Sequence, residues 1–411
     1  MTSEGTSAGT RGALDGIRVV DFTEFAFMPS VAAILGDWGA DVIKIEHPTR
    51  GDGTRGLLSV GAIPTGAWNY SWELNNRNKR GIGIDASQKQ GQEIIRRLVE
   101  EADVFTVSLR QSALCKYGLD YETLRKANPR LIYVHGSGYG EEGDERERPG
   151  YDIAAYWARS GIMASLAGEG QTPPFVPVGM GDLSASLALA GGIGLALYAR
   201  ERTGLGQKVS LSLLGMGIWG CAVPLQSVIA TGAEYPFHDR KRAVNPLWNT
   251  YRAKDGKWLV LASFQSDRYW PGFCRALERP DLERDPRFID VPTRAANNVE
   301  LITILDDVFA TRDRDEWGKR LDSEEVIWGP AQTFPEVMND PQVLANGYLT
   351  DVDHPALGPI RLVRNPIELS EMPPVVSRTA PELGQHTEEI LMEVGYDWDD
   401  IIRLKEEEIV N

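Results

Sequence analysis

The chain has 411 residues, 42% of them hydrophobic, and a formal net charge of −16. Its length allows two domains, or one large domain with an excursion. Its acidity excludes long-range attraction to nucleic acid or anionic membranes, so any phosphate-bearing ligand must be held by a local basic cluster.

Met1 to Arg11 is small and polar and lacks a hydrophobic signal core, which predicts a disordered lead over residues 1–13. Ile17–Asp21 is a short β-branched run, Pro29–Trp38 reads as a helix and Asp41–Glu46 as a second strand. Helix Gly91–Glu101, strand Val104–Val107, helix Tyr121–Ala127 and strand Leu131–His135 follow. This alternation predicts an α/β fold with a parallel sheet covered on both faces. Asp152–Ala164 and Leu183–Arg202 read as helices, with Lys208–Leu213 a further strand. The most apolar stretch, Leu183–Tyr198, is slightly short for a membrane span and rich in Ala and Gly, which favours a buried helix.

After about Leu225 the pattern changes. Trp248–Lys254 and Lys257–Ser263 flank an Asp255-Gly256 turn and predict a hairpin. Helices at Asp267–Leu277, Val299–Phe309 and Arg314–Leu321 complete a small α+β domain over residues 225–330. A Pro-rich stretch, Pro366–Pro381, precedes a last helix, Thr387–Val394.

The three cysteines, Cys115, Cys221 and Cys274, form no CxxC pair, which suits reduced thiols in a cytoplasmic protein. No two of the five histidines share a helical turn, so no metal site is expected. Asp182 follows Gly179-Met180-Gly181 and opens the apolar helix, where an N-cap belongs. Capping and chemistry are compatible there. A helix start favours an ionised carboxylate, and an ionised, oriented carboxylate can attack a thioester carbonyl.

Gly136-Ser137-Gly138-Tyr139-Gly140 follows a strand and offers backbone N–H groups to a phosphate or an oxyanion, although a plain flexible connection would look the same. The first strand runs into Phe22–Met28 without a glycine, which argues against a dinucleotide fingerprint. Asn75–Arg80 is a basic, amide-rich segment, read either as a solvated loop or as a phosphate site that His47 and Arg50 would extend. Tyr156, Trp157 and Ser160 share a helical neighbourhood that is usually core.

Taken together, eight ordered segments resemble the family III CoA-transferases, the group of formyl-CoA, carnitine and phenyllactate CoA-transferases. They are Leu14–Asp21, Gly36–Glu46, Asn78-Lys79-Arg80, Asn128–Ile132, Pro149–Asp152, Gly181-Asp182, Glu201–Gln207 and Gly384–Thr387. The resemblance implies a Rossmann-like large domain made by both chain ends, residues 14–224 and 331–411, and an interlocked homodimer. It implies two substrates, an acyl-CoA and a carboxylic acid acceptor, with no metal, nucleic-acid or membrane partner. Asp182 matches the family nucleophile. CoA contacts are implied at Phe25, Ala26, His47, Asn78, Lys79, Arg80, Ser108, Leu109, Lys116 and Ser137, with Tyr117 nearby. Phe27, Met28, Tyr151 and Trp157 are expected in the substrate pocket.

The sequence also departs from the family. Phe27 and Met28 stand where many relatives have small residues, and Ser108–Ser112 replaces the usual Asn-Phe/Tyr-Arg-Pro-Gly pattern. The segment around Tyr156-Trp157 resembles the 2-hydroxyacyl and phenyllactate branch, which implies a larger acid. An α-methylacyl-CoA racemase on the same fold is the nearest rival. Its relatives carry histidine where this chain has Tyr151, and a phenol with a reference pKa of about 10 is a poor base. A non-catalytic CoA-binding protein is the other alternative.

Overall fold

The computed structural model describes residues 12–57 and 66–411. Most of the expected disordered lead therefore lies outside the described residues. The chain divides into two compact units. One runs to Ala164 and continues through Pro174–Ala233 and Gly347–Asn411; the other comprises Ser165–Pro173 and Glu234–Asn346.

The first unit holds a six-stranded parallel sheet of order β3-β2-β1-β4-β5-β6. Its strands are β1 (Arg18–Phe22), β2 (Asp41–Glu46), β3 (Lys79–Gly83), β4 (Val104–Val107), β5 (Ile132–Ser137) and β6 (Lys208–Ser212). Successive side chains point to opposite faces. Val19, Val42, Ile132 and Val134 pack on one side with helix α1 (Phe27–Asp37). Val20, Ile43, Ile45 and Tyr133 pack on the other with α3 (Lys89–Glu100), α5 (Tyr121–Ala127) and the C-terminal helices Thr387–Glu393 and Trp398–Glu406. Both chain ends thus build one domain. Every residue of α1 is buried, as an all-round apolar helix requires, because α7 (Met180–Thr203) lies across it. By length and mean hydropathy, 1.4, α7 is the one described helix apolar enough to cross a membrane, and 44% of that window is buried within the protein.

Several elements correct the sequence reading. The basic segment Asn75–Arg80 is not a loop: it ends α2 (Tyr70–Asn76) and begins β3. The helix expected over Asp152–Ala164 is a π-helical turn, Ile153–Ala158, then a break at Gly161 (φ 92°) and a short α6 (Ile162–Ser165). Gly161 ends the first turn because the chain needs a left-handed residue there. Two helices, α8 (Leu213–Gly220) and α9 (Ala222–Thr231), and a hairpin of β10 (Leu349–His354) and β11 (Gly358–Val363) were not expected.

The second unit is α+β. The hairpin of β7 (Trp248–Arg252) and β8 (Trp258–Ala262) turns at Gly256 (φ 79°), and β9 (Trp328–Ala331) adds a third antiparallel strand. Trp270, Phe273, Phe309 and Trp317 fill its separate core.

Candidate active site

In a sheet of this order the chain leaves β1 and β4 in opposite directions, which opens a crevice at their carboxyl ends. A cavity of about 690 Å³ lies there, lined by Phe22–Met28 after β1, His47 after β2, Ser108–Gln111 after β4, Gly136–Gly138 at the end of β5, and Asp182.

Asp182 is not the N-cap of α7. Gly179 (φ 85°) is, which makes Asp182 the third helical residue. The capping is done from elsewhere. The Asp152 carboxylate accepts from Gly179 N at 2.7 Å and from Gly181 N at 3.0 Å. Among the described residues no group donates to the Asp182 carboxylate. Burial pushes it up to about 7, and the Asp152 charge adds to that. Gly181 is obligatory in this packing, since a Cβ there would lie 2.2 Å from Asp152 Oδ1 and 2.3 Å from the Tyr156 ring. Ser186, one turn on, donates to Phe27 O at 2.6 Å and so ties α7 to the start of α1. The wall beside Asp182 is tight as well: a Cβ on Gly136 would meet Met28 Sδ at 2.2 Å.

Of the expected site residues, Phe25, Ala26, Phe27, Met28, His47, Ser108, Leu109, Tyr117, Gly136, Ser137, Gly138, Gly140, Tyr151 and Asp182 all line the cavity. Phe25 holds a left-handed backbone (φ 69°) and meets Tyr151 edge to face at 5.3 Å. Its N–H donates to Asp52 Oδ1 at 3.1 Å. His47 is held below the usual histidine range by partial burial and by Arg50.

Asn78, Lys79, Arg80, Lys116, Tyr139 and Trp157 are not among the lining residues. Asn78 bridges Asp37 and the backbone of Ser377 and Arg378. Arg80 pairs with Asp41, Glu389 and Glu393. Lys116 is exposed on α4 (Gln111–Tyr117). Tyr139 lies under Arg148, and Trp157 is buried against Tyr156. Lys79 is fully buried, 2.8 Å from Asp21, and its ammonium is pushed down to about 8 by desolvation.

Lys79→Ala is therefore expected to act on folding. It strands the Asp21 carboxylate, left with the hydroxyls of Thr23 and Thr106. The loss should be about 3–5 kcal/mol. Denaturant unfolding measures it, and a variant as stable as wild type would refute the structural role.

Sequence reasoning missed much of the cavity's charge. Arg50, Arg110 and Arg146 line it and have no carboxylate partner among the described residues. Lys208 and Glu141 line it too, joined at 2.7 Å. These groups come from separate chain segments, so no local motif marks them. Among the described residues no cluster of three or more His, Cys, Asp or Glu is placed to hold a metal ion.

The chain matches the family described as CoA-transferase family III over residues 14–387. It is 34% identical to (R)-2-hydroxy-4-methylpentanoate CoA-transferase of Clostridioides difficile, over 97% of this chain and 99% of that one. It is 32% identical to cinnamoyl-CoA:phenyllactate CoA-transferase of Clostridium sporogenes, over 95% and 96%. Among solved structures, a CaiB/BaiF family protein from Brucella suis superposes with a TM-score of 0.81, at 31% identity, covering 93% of this chain and all of that one.

Proposed function

The chain belongs to CoA-transferase family III, and on that premise we propose that it moves CoA from an acyl thioester to a free carboxylic acid with Asp182 as the nucleophile. The observation that carries this reading is the Asp182 carboxylate itself. It faces the cavity, it lacks a donor that would quench it, and its raised pKa makes it a stronger nucleophile than an ordinary aspartate.

An Asp182 oxygen attacks the thioester carbonyl, the C–S bond breaks, and CoA thiolate leaves an aspartyl–acyl anhydride. The thiolate attacks the aspartyl carbonyl and releases the donor acid as carboxylate, which gives an aspartyl–CoA thioester. The acceptor carboxylate attacks that thioester and expels thiolate. The thiolate then attacks the new acyl carbonyl and frees Asp182. Each step exchanges a carboxylate for a thiolate, so no proton moves and thioester energy is kept. Backbone N–H groups of Gly136–Gly140 are the candidate oxyanion donors.

Arg50, Arg110 and Arg146 support a phosphate-rich substrate in an otherwise acidic chain. The names of the two similar enzymes support a branched or aromatic acid. A racemase would need a base–acid pair across the α-carbon. Both oxygens of Asp152 are already occupied by Gly179 and Gly181 N–H, which weighs against that rival.

Incubation with an acyl-CoA donor followed by hydroxylamine should leave a hydroxamate on Asp182, located by peptide mass analysis. Modification of exposed Cys115 instead would point to thiol chemistry and end this reading.

A further inference from the structure

The loop after β5 leaves the sheet at Gly138 and returns at Gly150. Its neck is closed by these two glycines: a Cβ on Gly138 would lie 2.8 Å from Gly150 Cα. A loop with touching ends is free to swing unless its body is fastened. Three of its carboxylates do the fastening. Glu145 pairs with Arg159 at 2.7 Å, and Glu147 accepts from Ser112 Oγ at 2.8 Å. Both contacts are exposed and geometrically forgiving.

Glu141 is different. One of its oxygens, Oε1, is 2.6 Å from His135 Nδ1 and 2.7 Å from Lys208 Nζ. His135 is buried in β5, and its other nitrogen is fixed 3.0 Å from Leu109 O at the end of β4. Glu141 therefore bolts the loop to β5 and β6 and, through His135, to the chain after β4. The same loop carries Gly138, Gly140 and Arg146 to the cavity.

We propose that Glu141 is a positioning residue for the nucleotide-bearing part of the thioester: its grip on His135 and Lys208 presets the loop so that Arg146 and the Gly138–Gly140 backbone meet the ligand without first being ordered. This rests on the reading that the cavity takes acyl-CoA. The ordering that the clamp has already done would otherwise be charged against binding. The carboxyl is held down to about 2 by its hydrogen bond to His135 and by Lys208, so the clamp persists across the neutral range.

The test uses the full chain and free CoA as the probe. Glu141→Gln should weaken CoA binding by about tenfold in calorimetry. The KM for acyl-CoA should rise by a similar factor, more than kcat falls, while the KM for the acceptor acid moves little. Trypsin reads the loop directly: it cuts after Arg146 but not after Arg148, which precedes Pro149. Nicking at Arg146 well below the melting temperature should be about ten times faster in the variant. Lys208→Met, which removes one of the two partners, should give an intermediate result and serves if Glu141→Gln does not fold. Unchanged CoA affinity and nicking would overturn the proposal. So would weaker CoA binding without faster nicking, since Glu141 would then touch the ligand itself. Wild-type protein that fails to bind CoA would instead refute the acyl-CoA reading on which the proposal stands.

Discussion

Asp182→Asn is expected to lower transfer by at least about a thousandfold and, at the same time, to stabilise the protein above neutral pH. The first effect follows because an amide oxygen cannot form the anhydride. The second follows from linkage. The folded carboxyl titrates at about 7 against an ordinary value of 3.8. Between those values the unfolded chain has lost the proton that the folded chain still holds. Folded protein therefore binds more protons, and stability falls as pH rises through that interval. The deficit is complete above about pH 7. Asparagine has no such ionisation, so its gain should be absent near pH 4 and reach on the order of 2 kcal/mol at pH 8, allowing for partial solvent access. Melting curves at the two pH values and single-turnover rates measure both effects. For wild type, kcat/KM should climb about tenfold per pH unit below 7 and level off above it. A variant with a tenth or more of wild-type transfer would remove Asp182 from the chemistry.

The second large effect is expected at Asp152. Its carboxylate satisfies two N–H groups at the start of α7, and its charge helps to hold the Asp182 carboxyl up. Asp152→Ala abandons both donors, at about 1–3 kcal/mol. The freed donors and the lost repulsion should also lower the Asp182 pKa, which weakens the nucleophile as the helix start loosens. Transfer should fall about a hundredfold, with the acidic limb of the pH profile moved to lower pH. The shift of that limb is the diagnostic, because simple loss of folded protein would scale the profile without moving it. An unmoved limb would deny Asp152 its electrostatic role.

Much of the sheet was legible because four strands announce themselves. Ile17–Asp21, Asp41–Glu46, Val104–Val107 and Leu131–His135 are β-branched runs bounded by helices or turns, and they became β1, β2, β4 and β5. Strand β3 was not legible. Lys79-Arg80-Gly81-Ile82-Gly83 has two cations and two glycines, and its burial depends on Asp21 and Asp41, which lie far away in sequence. The same limit applies to the site. Asp182 was visible from its glycines and its family match, but its place within the first turn was not, because Asp152 supplies the cap from outside the helix. Glu141, Lys208 and Arg146 meet at the cavity only through the closure of the loop at Gly138 and Gly150.

The two-unit division has an evolutionary consequence. Every residue that lines the 690 Å³ cavity belongs to the first unit, and in chain order the last of them is Leu213. The long insertion Glu234–Asn346 begins only afterwards and has its own core. Drift, duplication or exchange within that insertion leaves the walls around Asp182 untouched. The lineage can thus carry the acyl-transfer apparatus as one inherited cassette while the inserted module is rewritten under separate selection.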